Sequence, residues 1–464
     1  MKQNLFKDDD NNHNIEVLNS DLKSNPKCCH GPTLLFSRRT KDSTRKFYAC
    51  SACRDRKLCN FFLWADESEQ AFKRKSELWN KELLNYVKGI DHRKLFVTLN
   101  KIKALQPEKR IFCQTCSIFL LKNVEKHQDH LLLKIISNYQ LDHPSEILQP
   151  LDNPKKEAQY LFSNKSTECI INIFRNLKYK FVICIGTPRI HEYIQANCED
   201  MDSILLDIDK RYHTFFGPLE FCWYNSFNNY FFFKEGQQVF NDFVRNTNGD
   251  NTVLVTDPPF GGRIEPLAET FKSIKQQYRQ VNNEGRNLPI FWIFPYFMEP
   301  QLQNFLPDLK MLDYKVEYDN HPLFQNGPKG RKQGSPVRIF TNVEAKLIKL
   351  PEDSYKYCKF CKKWVSNENS HCKLCNDCTS KNGEPYKHCT QCEKCVKPNW
   401  KHCNACSRCT QINHVCQELS FLGSCFQCKQ AGHKKSNCPQ VEKQHTQKRA
   451  GKRKKGSKKK RKIE

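Results

Sequence analysis

The stretch Asp257-Pro258-Pro259-Phe260-Gly261-Gly262 closes an apolar, largely β-branched run, Thr252–Thr256. Pro258 pushes Asp257 out of the helical region and keeps the turn extended. The two prolines also remove two backbone donors while leaving their carbonyls as acceptors. What results is a rim of acceptors, the Asp257 carboxylate and the Pro258 carbonyl, with the flat face of Phe260 beside them. Two acceptors next to a stacking face suit the exocyclic amine of a planar base. The lone pair of such an amine is delocalised into the ring, which makes it a poor nucleophile. Accepting both of its hydrogens favours a pyramidal nitrogen, and attack on an electrophilic methyl group then becomes feasible through positioning and electrostatics. The proton leaves after transfer, so no strong base is needed beforehand.

Cysteine carries a second kind of chemistry. The 464 residues include 26 cysteines, and 15 of them fall between Cys358 and Cys438. The N-terminus has no apolar secretory core, so these read as metal thiolates rather than disulfides. Cys113-x2-Cys116-x10-His127-x2-His130 has the cysteine spacing of a C2H2 finger, with the histidines one residue closer than usual. Three boxes then repeat: His371, Cys372, Cys375, Cys378; His388, Cys389, Cys392, Cys395; His402, Cys403, Cys406, Cys409. Cys358 and Cys361 precede them, and His414 and Cys416 follow, enough ligands for up to four ions. Which ligands share an ion stays open at this level. Cys425-x2-Cys428-x4-His433-x4-Cys438 resembles the retroviral-type zinc knuckle, which implies contact with unpaired bases through Phe426. Zn2+, several per chain, is the ion expected throughout.

The net charge is +26, and the 448–462 stretch supplies 11 basic residues and no acid. Most of the excess therefore lies elsewhere, and a polyanion such as RNA is the expected partner. No apolar run reaches 18 residues, so no membrane span is expected. The basic tail also reads as a nuclear and nucleolar address, with a cytoplasmic pool left open.

The elements that must position the acceptor rim lie in residues 150–352. Ser166–Leu177 has apolar residues at helical spacing, with Ser166 or Thr167 as N-cap. Lys180–Gly186, Ser203–Asp209, Thr252–Asp257 and Pro289–Pro295 read as buried parallel strands. Glu265–Gln280 is helical, and Tyr314–Tyr318 with Pro336–Phe340 predicts a terminal antiparallel hairpin around the loop QNGPKGRKQGS. The expected architecture is α/β, a doubly wound sheet with that hairpin, flanked by small metal-stabilised modules. The module boundaries are 1–27 (a polar, disordered N-terminus), 28–66, 67–112 (a helical linker), 113–132, 150–352, 357–418, 424–440 and 441–464.

Asp257, Pro258, Pro259 and Phe260 resemble the D/N-P-P-Y/F/W motif of amino-group methyltransferases that use S-adenosylmethionine. The resemblance extends to VICIGTPRIHEYI, similar to the first strand and glycine turn of that class I, Rossmann-like fold. It implies that Gly186 and Thr187 approach the methionine part of the cofactor, and that Asp207, with Asp209 as the alternative, holds the ribose hydroxyls. It further implies that Gln159 and Tyr160 line the cofactor pocket and that Asn225 reaches the adenine. The fold's first motif usually carries two or three glycines; here Gly186 is followed by Thr187 and Pro188. The segment from Cys28 to Trp64 resembles the GRF-type zinc finger, which implies Cys28, His30, Cys50 and Cys59 as ligands, with Cys29 and Cys53 as spare thiols. Its aromatics Phe47, Tyr48, Phe61, Phe62 and Trp64 interleave with Arg38, Arg39, Arg45, Lys46, Arg54, Arg56 and Lys57, a mixture suited to single-stranded nucleic acid or to building the small core. The array of boxes resembles the cysteine-rich region of DHHC palmitoyltransferases but lacks the DHHC tetrad, so it is read as a scaffold.

As a set, these modules resemble a family of zinc-finger adenine-N6 methyltransferases acting on large-subunit ribosomal RNA. That implies N6-methylation of an adenosine in ribosomal RNA, ribosome-biogenesis or RNA-helicase partners, and a monomeric enzyme. The residues alone reach a base amine in nucleic acid. Methylation of DNA adenine or of a protein glutamine, or a non-catalytic RNA-binding scaffold, are the alternatives.

Overall fold

The structure is a computed structural model that describes residues 15–416, except 19–21, 40–42, 54–57, 123, 152–158, 248–250, 283–286, 322–333 and 415. The knuckle at Cys425–Cys438, the basic tail, most of the QNGPKGRKQGS loop, and Arg54, Arg56 and Lys57 therefore lie outside the described residues. The chain forms two compact units; one comprises residues 17–37 and 45–386, and the cysteine array from Lys387 onward belongs to the other.

Two linker helices, α1 (Glu69–Val87) and α2 (His92–Lys103), follow the N-terminal finger, each opened by a side-chain cap, Ser68 and Asp91. The core then begins with α3 (Asn164–Asn176). Its N-cap is Ser163, not Ser166 or Thr167: the Ser163 hydroxyl accepts from the Ser166 N–H, and both expected caps are buried inside the helix. The eight-stranded sheet has the order β4-β3-β2-β1-β5-β6-β8-β7. Its strands are β1 (Phe181–Ile185), β2 (Asp202–Asp207), β3 (Phe221–Asn225), β4 (Tyr230–Phe231), β5 (Thr252–Thr256), β6 (Ile290–Pro295), β7 (Lys310–Leu312) and β8 (Val337–Thr341). β1, β2, β3, β5 and β6 are parallel, while β4, β7 and β8 add antiparallel edges.

The strands are apolar on both faces because both are covered. Along β1, Val182 and Cys184 pack into one cluster with Ile170 and Phe174 of α3 and Ile190 of α4 (Pro188–Asn197). Ile183 and Ile185 point the other way, toward Phe240 of α5 (Lys234–Asn246) and Leu267 and Phe271 of α6 (Ile264–Val281). The alternation is the period of two expected of a strand. Strand order reverses between β1 and β5, so the crevice beyond their carboxyl ends is the switch point at which such sheets bind ligands.

The terminal hairpin differs from expectation. β8 pairs with Lys310–Leu312, upstream of the predicted Tyr314–Tyr318. The Val316 N–H still reaches the Val337 carbonyl at 3.2 Å, but Tyr318 leaves the sheet to form an isolated bridge with Phe162. The bend follows Asp313, whose carboxylate is drawn inward. Its Oδ2 accepts from the Ser366 N–H at 3.0 Å and Asn369 Nδ2 at 2.8 Å, and Oδ1 lies 3.9 Å from Nε of the fully buried Arg338. Alternating hydrophobicity could not register this pull. Removing one partner of a buried ion pair strands the other charge. Asp313→Ala is expected to lose roughly 3–5 kcal/mol, read as a lower thermal unfolding midpoint with the metal content unchanged.

Candidate active site

The β1 and β5 turns meet at the switch point. The Asp257 N–H donates to the Ile185 carbonyl at 3.3 Å. Gly186 has φ +63°, and a Cβ built there would stand 3.4 Å from the Asp257 carbonyl. The left-handed φ, rather than the room for a Cβ, is why glycine occupies this turn. Thr187 is buried at the start of α4.

The Asp257 carboxyl is removed from water, and this raises its pKa well above the usual carboxylate range. One group opposes the shift. The Tyr318 hydroxyl, itself fully buried, lies 3.0 Å from both Oδ1 and Oδ2. The sequence marks Tyr318 only as the end of an apparent strand, so its role was missed; a tyrosine ending that strand opposite a motif acid was the available signal. The segment carrying it is tied down on both sides. The Ser163 N–H donates to the Glu317 carbonyl at 2.9 Å, the Asp319 N–H to the Leu161 carbonyl at 2.9 Å, and Arg189 pairs with Asp319 at 2.9 Å.

Phe260 stands beside Asp257 as expected, within a nest of rings. Its centroid is 6.1 Å from those of Tyr160 and Tyr318 and 5.9 Å from that of Phe294. Tyr160 packs 4.3 Å from His321, so it borders the acceptor rim itself.

The acid loop after β2 separates the two candidate aspartates. Asp209 is committed: Arg211 Nη2 holds Oδ2 at 2.6 Å, and Gln159 Nε2 donates to the same atom at 2.8 Å. Gln159 also accepts the Leu151 N–H at 2.9 Å, so its amide braces the acid loop. Asp207 accepts the Asp209 N–H at 2.8 Å through Oδ1, and burial pushes its carboxyl up to about 7. Among the described residues Asp207 is thus the acid with capacity to accept from a diol. Gly186 and Asp207 together, at the ends of adjacent strands, fit the methionine and ribose parts of S-adenosylmethionine.

Asn225 is a correction. Its side-chain amide donates to the His30 carbonyl and to the Ser51 hydroxyl, both at 2.9 Å, while its oxygen accepts the Phe227 N–H. It docks the N-terminal finger and does not face an adenine.

Four thiolate and imidazole donors converge wherever the described residues allow the spacing to be checked. Cys28, His30, Cys50 and Cys59 form one group, as the resemblance implied, with Cys29 and Cys53 beside the histidine but outside the four. Cys113, Cys116, His127 and His130 form a second. The array resolves the open pairing: Cys358 and Cys361 converge with His371 and Cys378, and Cys389 and Cys392 with His402 and Cys409. Cys403 and Cys406 lie against Cys416 and His414 at 3.7 and 3.5 Å. The third box therefore divides, His402 and Cys409 turning back to Cys389 and Cys392 while Cys403 and Cys406 turn forward to Cys416 and His414. Cys372 and Cys375 lie together, as do His388 and Cys395. The backbone shares a signature, because the residue after each second cysteine (Ser117, Lys362, Asn376, Glu393, Ser407) has φ between 49° and 57°. In the finger, Phe47 and Phe61 are buried, which leaves Tyr48, Phe62 and Trp64 half-buried for any stacking role; the Arg45 guanidinium lies 3.8 Å over Trp64. Among the described residues no helix is long and apolar enough to cross a membrane.

An acceptor rim at the switch point of a doubly wound sheet is the build of an amino-group methyltransferase. Residues 153–344 match the family described as probable N6-adenine methyltransferase, and residues 26–68 match the GRF zinc finger. The chain is 43% identical to the human rRNA N(6)-adenosine-methyltransferase ZCCHC4, over 92% of this chain and 84% of that protein. It is 48% identical to the Xenopus laevis protein of that name, over 93% and 90%, and 48% identical to the mouse one, over 90% and 83%. The chain belongs to this family of N6-adenosine methyltransferases.

Tyr318→Phe deletes the one donor that favours the ionised form of Asp257. The Asp257 carboxyl is therefore expected to titrate at higher pH in the variant than in the wild type, read from its carboxylate infrared band. An unchanged titration would remove the tyrosine from the account.

Proposed function

We propose that the chain transfers a methyl group from S-adenosylmethionine to N6 of an adenosine in ribosomal RNA, most readily that of the large subunit. The observation that carries this reading is the position of Asp257: desolvated, at the switch point, against the Gly186 turn, with Phe260 beside it. Gly186 and Asp207 hold the cofactor, which supplies an electrophilic methyl carbon. Asp257 accepts one N6 hydrogen and the Pro258 carbonyl the other, while Phe260 offers its face to the extruded base. A carboxylate has about four lone-pair sites, so Asp257 serves the amine and the Tyr318 hydroxyl at once. Bound S-adenosylmethionine would supply the methyl carbon for the N–C bond to N6 as its own S–C bond breaks, leaving S-adenosylhomocysteine, and the N6 proton would pass to solvent.

The metal in the cysteine and histidine groups is Zn2+, because sulfur–nitrogen tetrads with closed coordination suit a structural zinc. The basic tail and the Cys425–Cys438 knuckle add phosphate and base contacts and direct the protein to the nucleus and nucleolus. We take the enzyme to be a monomer that meets ribosome-biogenesis factors or RNA helicases on its substrate.

Asp257→Ala is expected to lower methyl transfer from labelled cofactor to ribosomal RNA by at least about 10²-fold and to leave RNA affinity nearly intact. Equal activity of variant and wild type would sink the assignment, and incorporation into DNA or protein in place of RNA would redirect the substrate. Metal analysis is expected to find several zinc ions per chain, and a content near zero would refute the thiolate reading.

A further inference from the structure

The metal site of the N-terminal finger is built into the wall of the methyltransferase core. Its ligand loop is fastened to the end of β3, where Asn228 Nδ2 adds bonds to the carbonyls of His30 at 3.1 Å and Pro32 at 2.7 Å to the two made by Asn225. Gly31, at φ +90°, sits so close to Tyr230 that an added Cβ would stand 2.4 Å from the ring. From the His30 imidazole a line of rings runs toward the acid loop. The His30 and Tyr86 centroids are 5.6 Å apart, and those of Tyr86 and Trp223 are 5.3 Å apart. Trp223 Nε1 then donates to the Ile208 carbonyl at 2.9 Å. Ile208 lies between Asp207 and Asp209, and the Lys210 ammonium just beyond stands 4.8 Å over the Tyr86 ring.

Tyr86 belongs to α1, outside both the finger and the sheet, yet it touches a metal ligand on one side and the support of the acid loop on the other. We propose that Tyr86 is a positioning residue through which the finger's metal site sets the geometry of the cofactor-binding loop at Asp207. A coordinated histidine is fixed in direction by its ion, and a ring packed on it inherits that constraint. Without the Tyr86 ring, Trp223 loses a packing face, its bond to Ile208 loosens, and the Asp207 carboxyl drifts from the position that meets a ribose. Asp257, at the end of another strand, is untouched by this change. The finger is therefore part of the cofactor site as well as a candidate RNA-binding module. The inference rests on the reading of Asp207 as the cofactor's acid.

The test is binding of S-adenosylhomocysteine to the full-length, zinc-loaded protein by calorimetry, for wild type, Tyr86→Leu and Tyr86→Phe. Leucine is expected to weaken binding by roughly tenfold with zinc content unchanged, and the loss appears in KM for the cofactor and not in KM for RNA. Phenylalanine keeps the ring and retains wild-type affinity. Should Tyr86→Leu fail to fold, His30→Cys preserves four ligands while removing the imidazole, and is expected to weaken binding in the same way. Wild-type affinity in Tyr86→Leu, or in a zinc-loaded His30→Cys protein, would overturn the proposal. A wild-type protein that binds no S-adenosylhomocysteine would instead overturn the cofactor reading beneath it.

Discussion

A carboxylate kept out of water needs a partner, and at Asp257 that partner is the hydroxyl of Tyr318. Burial favours the protonated form of the acid, and a protonated acid offers less to an amine. The tyrosine pulls the equilibrium the other way while leaving lone pairs for a second donor. To do so it must be held in place, and much of the local architecture serves that end. Phe162 forms a bridge with it, Ser163 and Leu161 fix the backbone on either side, and Arg189 clamps Asp319. Asp313, drawn inward to Arg338 and the first metal knuckle, bends the chain out of the sheet before it reaches Tyr318.

The metal groups answer a different constraint. Segments such as Lys387–Gln411 are too short and too polar to bury a core, so coordination replaces hydrophobic packing. Dividing the third box between two groups of ligands makes those two neighbouring knuckles depend on one another. The N-terminal finger takes the same idea further, since its ligand loop closes against Asn225, Asn228 and Tyr230 of the sheet. Finger and catalytic core share a wall there.

Much of the fold was legible because its signals are local. β1, β2, β5 and β6 announced themselves as apolar runs ending in Gly186, Asp209, Asp257 and Pro295, and α6 as a helical period. The spacing of Cys113–His130 also sufficed, because a chelating tetrad constrains residues near one another in sequence, whereas the ligands of the finger at Cys28–Cys59 followed from its resemblance to the GRF type. Legibility failed where a side chain's partner lies far along the chain. Asn225 looked like a cofactor contact because it ends β3, yet its amide serves residues nearly two hundred positions earlier. Gln159 braces Asp209, a contact the sequence did not show.

The sequence by itself determined the doubly wound sheet, the acceptor rim and the cysteines and histidines that serve as metal ligands, since each follows from residue types at short, regular spacing. Tertiary structure alone decided which acid of the loop keeps capacity for a ligand, which cysteines share a site, and that Tyr318 faces Asp257. Those outcomes depend on competition among polar groups for a limited number of partners in a poorly solvated interior. Such a competition is resolved only when distant segments are brought together, and no periodicity in the chain records its result.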